Sequence, residues 1–162
     1  MRGIRRKEKE IKSKDEITNI LKNTRYVTIS MCEENIPYLV TLTYGYDSKK
    51  NAIYFHCAKE GKKIDILRKN NVVWGQALID KGYVLGKCDH LYETAHFMGN
   101  VTFIDDISEK KHALETMIKQ QEQSPEEVIK KQISEESLKR VNIGRIDILF
   151  ISGKKADKVI IS

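Results

Sequence analysis

The sequence predicts a mainly β protein, a small antiparallel Greek-key barrel of six or seven strands with flanking helices. Apolar residues alternate with polar ones in most of the short segments, which is the period of a half-buried strand. Turn residues separate these segments at short intervals, and the helical patterns come late and to one side. A doubly wound parallel sheet would instead alternate strands with long helices throughout the chain.

The first predicted element is a short helix. Ser13 and Glu16 have the spacing of a capping box, in which the serine caps the helix and the glutamate reaches back to it. Ile17, Ile20 and Leu21 then follow at helical intervals. The spacing therefore predicts a helix that begins after Ser13.

A β-hairpin, a third strand and a second helix follow. "YVTISM" at 26–31 has a period of two, "EEN" supplies a turn, and "IPYLVTLTYGY" at 36–46 predicts the second strand. After the turn "DSKKN", residues 52–57 alternate again and predict the third strand of a meander. The helix that comes next has Ile64 and Leu67 on its inner face and ends at "NN".

Two buried strands are predicted in the middle of the chain, at 72–79 ("VVWGQALI") and 95–104 ("AHFMGNVTFI"). A loop separates them, and it contains Gly82, Gly86 and Cys88. Gly99 lies inside the second of these strands, where glycine marks a bulge or a close approach by another backbone or a ligand.

The last third of the chain mixes helices with a returning strand. An amphipathic helix follows Asp105-Asp106, which we interpret as capping residues, and its apolar face consists of Ile107, Leu114, Met117 and Ile118. Ser124 starts a second helical piece, strongly charged, with Pro125 at its first position and Glu127 at its third. "NIGRIDILFISGKK" then alternates as a strand, and "KVIIS" at 158–162 predicts an edge strand.

Composition predicts one globular domain over residues 1–162. The chain is 40% apolar and 32% charged, and it is long enough to bury a core. It has no apolar run of membrane-spanning length and no signal-peptide pattern at its start, so we expect a cytoplasmic protein. Cys32, Cys57 and Cys88 are odd in number and far apart, which is typical of reduced thiols.

The net charge of +6 lies mostly at the N-terminus. Residues 1–14 contain seven Lys or Arg against two Glu, so they carry +5 of it. This basic arm, residues 1–12, suits contact with nucleic acid or an acidic surface, or it is a solvated tail that aids solubility. We expect no nucleic-acid binding, because the sequence has no RNP-like aromatic pattern, helix-turn-helix or basic helix face.

The stretch "FHCAKEGKKIDILRKNN" at 55–71 contains the clearest candidate site. A strand ends there, and a helix begins near Gly61, Lys62 and Lys63. The unpaired N–H groups at a helix start, together with lysines, attract an anion such as a phosphate. From spacing alone an ordinary solvated turn is the more common outcome, because the stretch lacks a Walker or GxGxxG pattern.

His56 comes at the end of that strand and shares a face with Tyr54. A lone histidine in such a place is more often a hydrogen-bonded structural residue than a catalytic one. We expect no metal site, because Cys88, His90 and His96 match no zinc spacing. No serine lies in a GxSxG elbow, so acyl transfer is not indicated either.

Taken together, "RYVTISMCEENIPYLVTLTYGY", "IYFHCAKEGKKIDILRKN" and "HFMGNVTFIDD" resemble the FMN-binding split-barrel superfamily. Within it they resemble the pyridoxamine-phosphate-oxidase-like branch that contains the 5-nitroimidazole-resistance proteins. The most specific part is the order strand, His-x-Ala-x-x-Gly-x-Lys, helix, which is matched by His56, Ala58, Gly61 and Lys63. The resemblance covers most of the chain and implies a split β-barrel.

The resemblance also implies a cofactor and an assembly. Lys63, with Lys62 and the Gly61 backbone, would hold the phosphate of FMN, and His56 would lie near the flavin ring or the substrate. The backbone of the second strand would follow the edge of the isoalloxazine, at Thr41, Leu42 and Thr43. Relatives often have Pro and Asn at the two threonine positions, so these contacts would differ here. A homodimer with the flavin at the subunit interface is implied.

The expected activity is that of an oxidoreductase that passes electrons from a reduced donor to a small organic acceptor, with nitroaromatic compounds as the family suggestion. The barrel would supply position and environment while the flavin supplies the redox chemistry. Alternatives with other cofactors are FAD or a deazaflavin. A different class of function is a non-catalytic module that stores or senses flavin or haem.

Overall fold

The computed structural model describes residues 3–158, which form one antiparallel sheet and five α-helices. The strands are β1 (Glu10–Ile11), β2 (Tyr26–Glu33), β3 (Ile36–Thr43), β4 (Gly45–Asp47), β5 (Ala52–Cys57), β6 (Val72–Val84), β7 (Asp89–Ile104) and β8 (Asn142–Ala156). The helices are α1 (Lys14–Asn23), α2 (Lys62–Lys69), α3 (Ile107–Gln121), α4 (Pro125–Gln132) and α5 (Glu135–Arg140). None of these helices is both long and apolar enough to span a membrane.

The strands follow the order β3-β2-β6-β7-β8-β5-β4, with β1 added on β8. β3 and β4 lie at opposite ends of this path, although Tyr44 alone separates them in the chain. The sheet therefore curls until its two ends approach at Tyr44 without closing by strand pairing. The predicted antiparallel split barrel with flanking helices is confirmed, with eight strands in the described residues instead of six or seven.

The barrel interior is filled by the inward residues of nearly every strand. They include Val27 and Ile29 of β2, Phe55 of β5, Phe97 of β7 and Ile146 of β8, all completely buried. A second, smaller cluster lies between the barrel and α3, where Tyr54 and Ile143 pack against Ala113 and Met117. The alternation read from the sequence places Val27 and Ile29 correctly because β2 buries one face only, whereas β5 buries one face in the barrel and the other under α3.

Two additional strands account for the higher count. The predicted strand 36–46 is broken at Tyr44, whose hydroxyl donates to the carbonyl oxygen of Leu21 at 2.5 Å and pairs with Thr24 Oγ1 at 2.6 Å. Burial raises the pKa of Tyr44 to about 12, although its hydrogen bonds oppose the shift. The other strand, β1, comes from the basic arm, which pairs with β8 and buries Ile11.

The loop predicted between residues 79 and 95 is wrong. β6 and β7 continue as a long hairpin, and only residues 85–88 form its turn. The sequence pattern does not reveal this part of the two strands, because polar side chains lie on both faces of the hairpin there and pair with one another across it. His90 Nε2 lies 2.6 Å from Asp80 Oδ1, and Lys81 pairs with Glu93.

The prediction of a bulge or a close approach at Gly99 is confirmed. The pairing of β7 with β8 shifts register between Met98 and Gly99, where Leu149 of β8 is the extra residue. A Cβ atom at position 99 would lie 2.3 Å from the carbonyl oxygen of Asp147, so only glycine allows the two backbones this approach. The bulge lets both long strands bend around the barrel.

The helix starts follow the predicted caps in part. Ser13 Oγ accepts from the Glu16 backbone N–H, but the Glu16 carboxylate pairs with Lys155 and does not complete the capping box. Asp106 caps α3. α4 begins at Pro125 as predicted, although the Ser124 side chain makes no capping hydrogen bond.

Two other predictions concern the last forty residues. The single charged piece after Ser124 is two helices, because Ser134 caps α5 in a reciprocal bond with Ser137 and ends α4 before it. Of the edge strand predicted at 158–162, all but Lys158 lies outside the described residues.

Candidate functional site

The candidate phosphate turn has the geometry of an open helix start. Gly61 is the N-cap of α2 at φ +120° and ψ 166°, and its carbonyl oxygen accepts from Ile64 N and Asp65 N at 2.8 and 3.1 Å. No side chain caps this helix. The first N–H groups of a helix have no partner within the helix. The turn therefore presents amide donors where α1, α3 and α5 present a side-chain cap.

The local sequence fixes this start in place. Ile64, Ile66 and Leu67 are buried and hold α2 against the barrel, which confirms the inner face predicted from the sequence. Asn142 Nδ2 donates to the Ala58 carbonyl oxygen at 3.0 Å and contacts Cys57 Sγ at 3.4 Å, so β8 holds the end of β5. The sequence analysis missed Asn142, because only the pairing of β5 with β8 brings it to the turn.

Both lysines of the turn lie against aromatic rings. Lys62 Nζ is 4.6 Å from the centroid of the Tyr38 ring, and Lys63 Nζ is 5.5 Å from that of Phe55. Cation–π contacts of this kind hold a cation without neutralising it. The Tyr38 contact also joins the start of α2 to β3, the strand that carries the other predicted cofactor residues.

β3 is an edge strand, since within residues 3–158 it pairs with β2 alone. One side of its backbone therefore keeps free N–H and C=O groups. Thr41 and Thr43 point to the outside of the barrel, where Thr41 Oγ1 lies 3.0 Å from Thr28 Oγ1. Leu42 packs its side chain against the core, so only its backbone faces outward.

His56 is exposed at the end of β5 and lines a cavity of about 220 Å³. Thr43 lines the same cavity, so the structure brings these two predicted residues together. The rest of the lining comes from the strand break and from α3, α4 and the segment that joins them: Tyr44, Leu114, Met117, Ile118, Gln121, Glu122, Val128 and Gln132. In the sequence these helical residues belong to an amphipathic pattern and a charged segment, and neither pattern predicts that they line a cavity.

The neighbouring residues of β5 have different surroundings. Tyr54 shares the face of His56 but is fully buried, and its hydroxyl donates to Glu109 at 2.9 Å. Burial raises the pKa of the Cys57 thiol, with Lys63 and Asn142 acting against the shift. Cys32, Cys57 and Cys88 are all free cysteines.

An ionic network fastens α3 to the barrel beside this site. Glu109 Oε1 accepts from Arg145, Lys50 and Tyr54 at 2.7, 3.0 and 2.9 Å. Burial would raise the pKa of Glu109, but these donors outweigh it and lower the pKa from 4.5 to about 2. The carboxylate is thus a charged anchor for the helix that forms one wall of the cavity.

The three residues first considered as metal ligands do not converge. His90 pairs with Asp80 in the long hairpin, Cys88 is in its turn, and His96 lies on the outer face of the sheet. Burial lowers the pKa of His96, and Lys154 adds to the shift. Among residues 3–158 no three His, Cys, Asp or Glu side chains are grouped as metal ligands.

The outer face of the sheet has a row in which four of five side chains are large and apolar. The register places Leu39, Ser30, Trp74, Met98 and Phe150 side by side across five strands, so Ser30 separates Leu39 from the other three. Leu39 is 62% and Trp74 42% exposed. The Trp74 and Phe150 rings meet edge to face at 5.9 Å between centroids. Exposed apolar patches are common at interaction surfaces.

Solved structures with the same architecture come from several bacteria. A proposed 5-nitroimidazole antibiotic resistance protein from Bacteroides thetaiotaomicron matches at 26% identity with a TM-score of 0.77, over 90% of this chain and 86% of that one. Flavocytochrome Anf3 from Azotobacter vinelandii matches at 12% identity with a TM-score of 0.82, over 99% of this chain and 75% of that one. A FAD-binding protein from Mesorhizobium loti matches at 21% identity with a TM-score of 0.64, over 90% of this chain and 96% of that one.

The flavocytochrome and the FAD-binding protein, at 12% and 21% identity, share the fold with this chain. No curated protein matches the sequence. The family model described as pyridoxamine 5'-phosphate oxidase matches residues 13–155, which include strands β2 to β7, nearly all of β8, the turn at Gly61 and all five helices. The chain belongs to the pyridoxamine 5'-phosphate oxidase family.

Proposed function

We propose that this protein is a flavoprotein that binds FMN and passes electrons from a reduced donor to a small organic acceptor. The observation that carries the proposal is the uncapped start of α2, with Gly61, Lys62 and Lys63 beside the free edge of β3 and the exposed His56. The names of the solved relatives, which include a flavocytochrome and a FAD-binding protein, support a flavin as the ligand.

The residues of the turn suit the phosphate of FMN. Lysine ammonium groups and helix N–H groups form charge-assisted bonds to phosphate oxygens. A Cβ built on Gly61 meets nothing within 4 Å, so the space beside the amide donors is open. The turn therefore offers a donor set and room for a dianion.

The remaining residues would position the ring and the acceptor. The free backbone groups of β3 at Thr41, Leu42 and Thr43 can pair with the polar edge of an isoalloxazine, while the flavin supplies the redox chemistry. His56, exposed on the same side as Thr43, can hold or donate a proton at the acceptor. A nitroaromatic acceptor is the suggestion from the named resistance protein.

The proposal includes a homodimer with the flavin at its interface. The exposed row through Leu39 and Trp74 is an apolar surface that a second copy of the chain would bury. β3 contributes Leu39 to this row and the free edge to the flavin site. A site next to the interface would thus be completed by the partner.

The first test is the visible spectrum of the freshly purified protein, with the chromophore released and identified after denaturation. We expect a flavin spectrum and FMN. A haem spectrum would favour the storage or sensing module, and released FAD or a deazaflavin would replace FMN in the proposal. A colourless protein that also fails to bind added FMN would overturn it. With flavin bound, steady turnover with NAD(P)H or another reductant separates the enzyme from the module.

The second test addresses the phosphate turn. We expect the Lys62→Ala/Lys63→Ala variant to bind FMN at least about tenfold more weakly, because a hydrogen bond to a charged group contributes about 1.5 to 3 kcal/mol. The matched control is Lys111→Ala/Lys119→Ala, which removes two exposed charges from α3. Fluorescence titration measures both, and unchanged affinity in the first variant would contradict the phosphate assignment.

A further inference from the structure

α4 is attached to the rest of the protein more weakly than the helices around it. It is the one α-helix within residues 3–158 that has no buried residue. Its N-cap, Ser124, makes no capping hydrogen bond. Its charged residues, Glu126, Glu127, Lys130 and Lys131, form no ion pair in the described part of the chain. Helices with few buried contacts open at low free-energy cost.

The elements on both sides of α4 are fixed. At the end of α3, Gln120 Nε2 donates to the carbonyl oxygens of Leu21 and Thr24, both at 3.0 Å. Gln121 Nε2 donates to the carbonyl oxygen of Tyr44 at 2.9 Å. These bonds hold α3 against α1 and the strand break.

The start of β8 is fixed in the same way. The ammonium of Lys110, which is buried, donates to the carbonyl oxygens of Leu138 and Val141 at 3.4 and 3.0 Å. Leu138 is itself buried and holds α5. α4 therefore lies between two anchored ends and has no buried residue of its own.

The cavity of about 220 Å³ lies between α4 and His56. Val128 and Gln132 of α4 form one side, and Leu114, Met117 and Ile118 of α3 form another. Cavities for drug-sized ligands measure about 300 to 1,000 Å³. This volume suits a smaller molecule, and its apolar walls suit a ring.

We propose that α4 is a lid and that the cavity beneath it binds a small uncharged single-ring compound with one hydrogen-bonding group. Leu114, Met117 and Val128 would contact the ring, and His56 would pair with its polar group. The Glu122 carboxylate at the lining disfavours an anion. That this compound is the electron acceptor rests on the proposed function, whereas the lid and the cavity do not.

The binding test uses benzyl alcohol as the probe, because it is an uncharged ring with one hydroxyl. Methyl resonances of labelled Leu, Met, Ile and Val are followed by NMR during titration. We expect saturable shifts at Leu114, Met117 and Val128, and none at Leu149, which is exposed on β8 and is not part of the lining. Shifts that are absent, or equal at Leu149, would overturn the site.

A matched pair of variants tests the lid residue. Val128→Trp fills the cavity and is expected to weaken probe binding at least tenfold, whereas Lys131→Trp places the same ring on an exposed position of α4. Circular dichroism melting of both variants checks that they fold. If both variants fold and bind the probe like the parent, Val128 does not line the site and the proposal fails.

Amide hydrogen exchange tests the movement itself. We expect amides of α4 to exchange at least tenfold faster than those of α3 in the free protein, and to slow when benzyl alcohol is added. Exchange in α4 that is as slow as in α3, or that saturating probe leaves unchanged, would overturn the lid.

The two proposals fail in different ways. Benzyl alcohol is added to the protein as purified, with any flavin in place, and the shifts are read at Leu114, Met117 and Val128, which the proposed function does not assign to the flavin. A protein that binds FMN but not the probe contradicts the lid and the cavity alone. A protein that binds the probe but no flavin contradicts the proposed function alone.

Discussion

Gly61 is the residue on which the start of α2 depends. Its φ of +120° and ψ of 166° fall in a region that side chains other than glycine rarely enter. The space around it is open, so a substitution there is unfavourable because of the backbone and not because of a clash. The sequence motif required glycine at this place, and the structure gives the physical reason.

We expect Gly61→Ala to lower the free energy of unfolding by about 1 to 3 kcal/mol, the usual cost of this backbone region for a residue with a Cβ. Urea unfolding measures the loss. Gly3→Ala is the control, since a Cβ there makes only an ordinary contact. Equal stability of the two variants would show that the turn adapts without strain.

Glu109 gives a prediction that depends on pH. Its folded pKa of about 2 lies below the ordinary 4.5, so its contribution to stability is complete above pH 4.5 and disappears as the pH falls toward 2. Glu109→Gln should therefore lose about 2 kcal/mol of stability at pH 7, because each unit of pKa shift corresponds to about 1.4 kcal/mol before solvent screening.

The difference between Glu109→Gln and the parent should shrink steadily between pH 4.5 and 2. Unfolding by urea at a series of pH values measures it. Glu115→Gln on the same helix is the control, because Glu115 takes no part in the network around Arg145. A difference that stays constant across this range would assign the loss to packing.

At the scale of elements, neighbouring strands fit together through pairs of a glycine and a phenylalanine. Gly144 of β8 lies opposite Phe55 of β5, and Gly75 of β6 lies opposite Phe97 of β7. A Cβ on Gly144 would come within 2.3 Å of the Phe55 ring, and one on Gly75 within 2.1 Å of the Phe97 ring. Each ring thus occupies the space that a side chain on the opposite strand would need.

We expect Gly144→Ala to destabilise the protein by about 1 to 3 kcal/mol through overpacking. Phe55→Leu in the same chain should recover part of that loss, so the double variant should be more stable than the sum of the single changes implies. Thermal or urea unfolding of the four proteins in this cycle provides the measurement. Strict additivity would mean that the ring moves aside freely.

Predictability from the sequence also differs between elements. The strand Tyr26–Glu33 alternates cleanly, so its buried face was found, and the bounds of Ala52–Cys57 were found although that strand is buried on both faces. The distal half of the β6–β7 hairpin was missed because pairs such as Asp80 and His90 satisfy each other across it with no apolar face. The candidate site was found through its motif at His56 and Gly61, whereas its α4 wall has no motif.

At the scale of the whole molecule, the apolar row on the outer sheet predicts the oligomeric state. We expect the protein to be a dimer in solution and Trp74→Glu to convert it to a monomer of 18.8 kDa, because a buried unpaired carboxylate opposes association. Light scattering after size exclusion measures the mass. We also expect bound flavin to decrease in the variant, since the proposed site is completed by the partner.

Leu85→Glu is the control for this experiment, because Leu85 is 87% exposed at the hairpin turn and lies outside the row. It should remain a dimer and keep its flavin. A parent protein that is monomeric at micromolar concentration, or a Trp74→Glu variant that stays dimeric, would show that this face is not the interface.

The strand order could not be predicted from the sequence, because it depends on pairings between segments that are distant in the chain. The alternation in "NIGRIDILFISGKK" predicts that β8 is a strand, but not that it pairs with β1, β5 and β7. No local signal in the chain relates Ile146 to Ile53, which lie opposite each other.

The position of β8 has a consequence for synthesis of the protein. Three strands made earlier, β1, β5 and β7, need β8 as their neighbour. A growing chain therefore holds β5 and β7 with unpaired edges until residues 142–156 have left the ribosome. Such edges favour aggregation, so the nascent chain needs protection until β8 has paired.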